Sequence, residues 1–377
     1  MDQVAAKRRA VRVAGVAAVA LAGCISQAHS AQVATRHAPA PAPQRTVATP
    51  RLAPAPADAP AQRILEARVR ELGRGFAGDV GIAVRDIDTG WQTSWNGDRF
   101  YPQQSVSKFW VAITALQAAD AGQLDLNAPV TVRREDMTLF HQPIAAQIGA
   151  NGYRTTIGEL MFRALTQSDN TANDFVLRRA GGPQAVRSML TRFHLDGIRF
   201  GPGERIMQSQ IAGLQWQPSF SAGRAFYAAR DAVPIDRRRA AFQRYVEDPV
   251  DGATVNGIVN GLARLRQGEL LSPRSTERLL SIMSQTRTGP QRLTGGLAPG
   301  WRISHKTGTG QVLGAVQAGY NDIAIITSPE GRSYAVAVMI GRTSTPLPTR
   351  MALMQNVTRA VIAFDGNRRA GGATYSR

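Results

Sequence analysis

The chain has 377 residues, 43% hydrophobic and 19% charged, with a formal net charge of +18. This composition excludes a wholly disordered polymer and allows one large core plus tails. The single cysteine, Cys24, excludes an intrachain disulfide or a thiolate metal cluster, and the five histidines (His29, His37, His141, His194, His305) lack metal-ligand spacing. Neither metal nor cofactor is expected. Residues 1–61 hold seven Lys/Arg against Asp2 and Asp58, so most of the basic excess lies beyond them. Such charge suits a membrane surface, a wall polymer or nucleic acid, and equally suits plain Arg-rich solvated faces.

In chain order, "KRRAVR" (Lys7–Arg12) followed by the short apolar run "VAGVAAVALAG" (Val13–Gly23) reads as an export signal, too short to span a membrane. "LAGC" (Leu21–Cys24) has the form of a bacterial lipobox, making residues 1–24 the signal and Cys24 the lipid-anchored first residue of a periplasmic protein. Ordinary cleavage after "AHS" (Ala28–Ser30) is the competing reading. Residues 25–61 are rich in Ala and Pro and form an extended tether. The folded domain is expected over residues 62–366, with a disordered tail at 367–377.

Within that domain, Ile64, Leu65, Val69 and Leu72 are spaced as an amphipathic helix. Two strands follow around Asp88–Gly90. A long helical stretch runs from Ser105 to about Gly268 and on through "PRSTERLLSIMSQ". Strands return at Gly300–Lys306, Tyr320–Thr327 and Ser333–Gly341, and a helix closes the domain over about Thr349–Phe364. The fold class is α+β. About five antiparallel strands drawn from both chain ends are flanked by helices, and an all-helical lobe is inserted between them. The groove between lobes is the natural place for a site.

Three stretches carry chemistry. In "SVSK", Ser105 and Lys108 lie three residues apart at a helix start, on one face, so the amine reaches the hydroxyl. An amine held away from water can act as a base, which would explain a lysine in an apolar helix. In "TTIGELMFRALTQSDNTANDF", Thr156 and Glu159 form a capping box, and the polar triplet Ser168-Asp169-Asn170 separates two apolar helices, the second starting near Thr171. "HKTGTG" (His305–Gly310) ends a strand with a cation, Lys306, the hydroxyls of Thr307 and Thr309, and Gly308, whose backbone a substrate can approach. Each alone is also compatible with an ordinary cap, turn or strand end.

Together and in this order they resemble the S-x-x-K, S-D-N and K-T-G motifs of the penicillin-recognising serine enzymes, over about Gln62–Asp365. The resemblance implies a β-lactamase/D,D-peptidase-like fold with Ser105 as nucleophile, Lys108 as its helper and Ser168 as proton donor to the leaving nitrogen. It further implies Asn170, Lys306, Thr307, Gly308 and Thr309 as substrate-binding residues. Glu204 lies 36 positions after Ser168, at the spacing of the class A deacylating glutamate. Gln208 stands where the family usually has asparagine, and the loop-pinning arginine before the glutamate is absent. A longer segment follows Gln208, either a rebuilt loop or a solvated insertion. The arginine often found on the strand after K-T-G is also missing, with Arg342 or Arg350 as candidate replacements; Phe140 and His141 lie where an aromatic gatekeeper is common. A class A β-lactamase is therefore expected, acting as a monomer on small β-lactams, with peptidoglycan a further candidate partner. The alternative is a cell-wall D-alanyl-D-alanine peptidase that releases lactams slowly. A basic binding lipoprotein with a dead site is disfavoured by the complete residue set. Nucleic acid is not an expected partner, since no recognition motif appears.

Overall fold

The computed structural model describes residues 58–374. The expected signal, Cys24 and nearly all of the expected tether lie outside the described residues. Helix α1 (Ala59–Arg74) begins ahead of the expected start at Gln62, with Pro60 in its first turn, where an N–H has no helical partner to lose. Strand β1 (Asp79–Asp86) leads into a turn in which the Asp86 carboxylate accepts the N–H groups of Asp88 and Thr89 at 3.0 and 3.3 Å. That turn delivers β2 (Gln92–Trp95) and then β3 (Phe100–Pro102).

The central stretch is less uniform than its sequence suggests. Helix α2 (Lys108–Asp120) is followed by β4 (Pro129–Val132) and β5 (Tyr153–Thr156), paired with each other. Next come α3 (Ile157–Thr166), α4 (Asn170–Arg179), α5 (Gly182–Arg192), α6 (Glu204–Ile211), α7 (Ala225–Ala232) and α8 (Ile235–Glu247). Strand β6 (Gly252–Thr254) pairs with β3, and α9 (Val255–Arg266) and α10 (Pro273–Ser284) complete the lobe. The expected continuous helical stretch is thus interrupted by two short ladders. Thr156 caps α3 by accepting the Glu159 N–H at 3.2 Å, while the Glu159 carboxylate turns to Arg163.

The chain end supplies β7 (Arg302–Thr309), β8 (Val312–Leu313), β9 (Val316–Thr327), β10 (Ser333–Thr343) and α11 (Leu347–Thr374). Helix α11 continues past Phe364 into residues expected to form the tail. The sheet has six strands, ordered β2-β1-β10-β9-β7 with β8 added to β9, and every pairing is antiparallel. On β10, Tyr334, Val336, Val338 and Ile340 join the core under α1 and α11, whereas Ala335, Ala337 and Met339 join the core of the helical lobe. Both faces are covered, so these strands read as unbroken apolar runs. Each Val or Ile so buried contributes about 1.5–3 kcal/mol.

Helix α2 runs through the middle of the lobe, and every residue from Lys108 to Leu116 is buried. A helix surrounded on all sides must be apolar on all sides. Strand β7 is the sheet edge nearest this helix. Its outer backbone groups are not spent on a neighbouring strand, and they border the seam between lobes.

Candidate active site

Ser105 lies in a 3₁₀ turn, Gln104–Ser107, that runs into α2. Ser105 is half-buried and lines a cavity of about 510 Å³ at the seam. The three-residue spacing brings Lys108 Nζ to 2.7 Å from Ser105 Oγ, with Lys108 only 1% exposed. Gln104, just before the serine, has φ 53°, a conformation that costs a non-glycine residue about 1–3 kcal/mol. Its surroundings hold it there. Its backbone N–H donates to Asp251 at 2.7 Å, its side-chain Nε2 donates to the Tyr245 hydroxyl at 2.5 Å, and its side-chain Oε1 accepts from Gln208 Nε2 at 2.9 Å. Ser168 and Phe140, both on the cavity, also have positive φ, 60° each.

Glu204 is the first residue of α6 and is 2% exposed. Its Oε1 accepts a hydrogen bond from Lys108 Nζ, and its Oε2 accepts from Gln208 Nε2 at 3.2 Å. The longer amide therefore does contact this carboxylate. In place of the missing loop arginine, Asp174 on α4 accepts the N–H groups of Glu204 and Arg205 at 3.0 and 3.3 Å, capping α6 from a neighbouring helix. Burial pushes the Asp174 carboxyl above its ordinary range, and the Glu204 charge pushes it further. An ammonium and a carboxylate both out of water are tolerable only when paired and hydrogen-bonded. Lys108 meets that condition through Ser105, Glu204 and Asn170 Oδ1, the last at 2.9 Å.

Asn170, the first residue of α4 rather than the one before it, also donates to Leu139 O at 2.9 Å, fixing which way its amide points. Lys306 is fully buried and lies behind the cavity wall, donating to Ser168 Oγ and Thr307 O, each at 3.0 Å. Desolvation lowers its proton affinity well below that of an ordinary lysine, and the nearby Lys108 and Arg292 charges lower it further. Strand β7 runs through Thr309, beyond the expected end at Lys306. Thr307 and Thr309 line the cavity, but Gly308 has another job. A Cβ there would lie 2.3 Å from Gln103 O, so close packing against the serine turn by itself requires glycine.

Neither Arg342 nor Arg350 lines this cavity. Arg342 lies beside Asp79 at 3.7 Å, and Arg350 is bound to Gln317 and Thr345 O. The arginine that does line it is Arg292, which bonds Thr309 Oγ1 at 2.6 Å, Gly308 O at 3.0 Å and Asn321 O at 2.6 Å over the Tyr320 ring. Sequence reasoning missed it, and "TGPQRLTGG" contains no local signal that would have found it. Asp174, Tyr245 and Asp251 were missed for the same reason. The segment after Gln208 is built rather than merely solvated. Its Phe226 is 2% exposed and packs edge-on against the expected gatekeeper Phe140 at 5.1 Å, while His141 bonds Gln167 O at 2.8 Å. From the same segment, Arg230 reaches the cavity and Tyr245 reaches Gln104.

A hydroxyl, an amine and a carboxylate linked in series, beside an edge strand, define a serine hydrolase of the acyl-transfer kind. The model of the beta-lactamase enzyme family matches residues 63–364. Relatives include the extended-spectrum beta-lactamase PER-1 of Pseudomonas aeruginosa, 27% identical over 80% of this chain and 87% of that protein. Beta-lactamase VEB-1 of the same organism is 26% identical over 69% and 77%. Among solved structures, a beta-lactamase from Chitinophaga pinensis superposes with a TM-score of 0.66 at 25% identity, covering 80% of this chain and 99% of its own. An ancestral class A beta-lactamase gives 0.62 at 28%, covering 79% and 99%. The chain belongs to this family, in its class A.

Proposed function

We propose that the protein hydrolyses the amide of β-lactams through an acyl-enzyme on Ser105, conferring resistance to them. The observation that carries this reading is the contact series Ser105 Oγ–Lys108 Nζ–Glu204, one amine touching both the nucleophile and the carboxylate. Ser105 Oγ attacks the lactam carbonyl, and its proton passes to the coupled Lys108–Glu204 pair. The backbone N–H groups of Ser105 and Thr309 receive the developing oxyanion. As the ring C–N bond breaks, Ser168, held by a hydrogen bond from Lys306, protonates the nitrogen and is resupplied with the proton that Ser105 gave to the Lys108–Glu204 pair, which leaves Glu204 again a free carboxylate. The substrate carboxylate lies against Thr307, Thr309 and Arg292, and Asn170 takes the side-chain amide. Water then attacks the acyl ester, giving its proton to Glu204, and that proton is returned through Lys108 to Ser105 Oγ as the ester C–O bond breaks and the product acid leaves.

Steady-state nitrocefin hydrolysis by the purified protein tests this. Wild type should turn over repeatedly, whereas Glu204→Gln should release about one equivalent of product and then proceed about 10²–10⁴-fold more slowly. A wild type that itself stalls after one equivalent, but frees D-alanine from a stem peptide, would instead be a D,D-peptidase.

A further inference from the structure

The cavity has one more cation than a lactam nucleus needs. Among the described residues, the two charged side chains on its wall are both arginines, and no Asp or Glu lines it. Arg292 belongs to the β7 wall, held against Thr309 and Gly308. Arg230 comes from α7, one helical turn after Phe226, and so projects on the face that packs on Phe140. The carboxylate beside it, Asp231, is shared. Arg230 Nε and Nη2 both approach Asp231 Oδ1 at 3.1 Å, Arg238 lies 3.7 Å from the same oxygen, and the Asp231 side chain is 60% exposed. One solvated carboxylate cannot neutralise two guanidinium groups, so this rim keeps a net positive charge. A penicillin or cephalosporin nucleus carries a single ring carboxylate, which Arg292 and the β7 threonines satisfy. Nothing on such a nucleus answers a second cation on the α7 wall.

We propose that Arg230 is a specificity-determining residue that selects lactams with a second anion, a carboxylate or sulfonate, on the acyl side chain. The inference rests on the lactam-hydrolysing reading and adds a substrate class to it. An ion pair at a partly exposed rim is worth a small factor, favouring binding over chemistry and weakening with salt.

The test compares benzylpenicillin with its α-carboxylated counterpart, carbenicillin, in wild type, Arg230→Gln and Arg230→Lys. The ratio of kcat/KM for the carboxylated over the uncarboxylated penicillin should fall about threefold to tenfold in Arg230→Gln, chiefly through KM, and stay close to wild type in Arg230→Lys. In wild type the ratio should also fall as salt is raised. A ratio unmoved by Arg230→Gln, or an equal loss on both penicillins, overturns the assignment. If wild type hydrolyses neither compound, the hydrolytic reading fails separately, and the same ratio is read from their competition against covalent labelling of Ser105 by a fluorescent penicillin. Absence of any labelling removes both claims.

Discussion

Buried charge at this site is arranged residue by residue so that nothing charged is left alone. Lys108 and Glu204 neutralise each other, and every further contact they make is to an amide or a hydroxyl. Arg292 follows the same rule with three oxygen acceptors and an aromatic ring 3.8 Å from its guanidinium carbon. A lysine cannot reproduce that fork. Arg292→Lys should therefore raise KM for lactams about tenfold with a smaller change in kcat, read from steady-state kinetics, because one donor must choose among acceptors that the substrate carboxylate also needs fixed. Arg342→Ala should leave the same constants at wild-type values. The contrast also explains what was readable. Ser105 and Lys108 are visible in sequence because helical spacing alone brings them together. Arg292 meets Thr309 only after α10 has been laid along β7, and no spacing rule carries that information.

Elements differ in legibility for a similar reason. The long strands stand out because two covered faces enforce apolar runs, and α3 stands out because Thr156 caps it. Strands β3 and β6, three residues each, pair across a gap of 150 positions between Pro102 and Gly252 and show no periodicity of their own. The segment carrying α7 and α8 is ambiguous in sequence because α8 is rich in arginine, and only the aromatic residues on α7 and in the stretch before it reveal that it is packed. Phe220, Phe226, Tyr227 and Phe140 form a chain of edge-on rings, and Trp216 joins it through Phe220 at 6.3 Å. Removing the central ring should unfasten the element from the site. Phe226→Ala should cost about 3–5 kcal/mol in urea unfolding. A shift in Trp216 fluorescence ahead of the global transition would show that the loss starts in this segment, whereas a single unchanged transition would mean the rings do not hold it.

At the scale of the whole molecule, the three motifs converge because the two chain ends form one sheet and the middle forms the lobe that closes on its edge. Asp251 lies where these parts meet. It enters β6 from the α8 side, accepts the Gln104 N–H beside the nucleophile at 2.7 Å and the Tyr245 hydroxyl from α8 at 3.0 Å, and feels the Glu204 charge from α6. Burial raises its carboxyl from 3.8 to about 7, against the opposing pull of those two donors, while the Glu204 charge adds to the rise. In the unfolded chain this proton leaves near the ordinary carboxylate value, so between about pH 4 and pH 7 the folded chain holds the extra proton. The group's contribution to stability is therefore complete below about pH 4 and is lost as pH rises through 7, by at most about 4 kcal/mol. Asparagine can accept the Gln104 N–H and donate to the Tyr245 oxygen without titrating. Urea unfolding of wild type and Asp251→Asn across this range isolates the Asp251 proton and its coupling to Glu204, since carboxylates remote from Asp251 cancel in the difference. Relative to the variant, wild type should lose stability steadily from pH 4 to pH 7 and change little above pH 8, whereas parallel profiles would mean that this buried carboxyl does not carry the proton through that window.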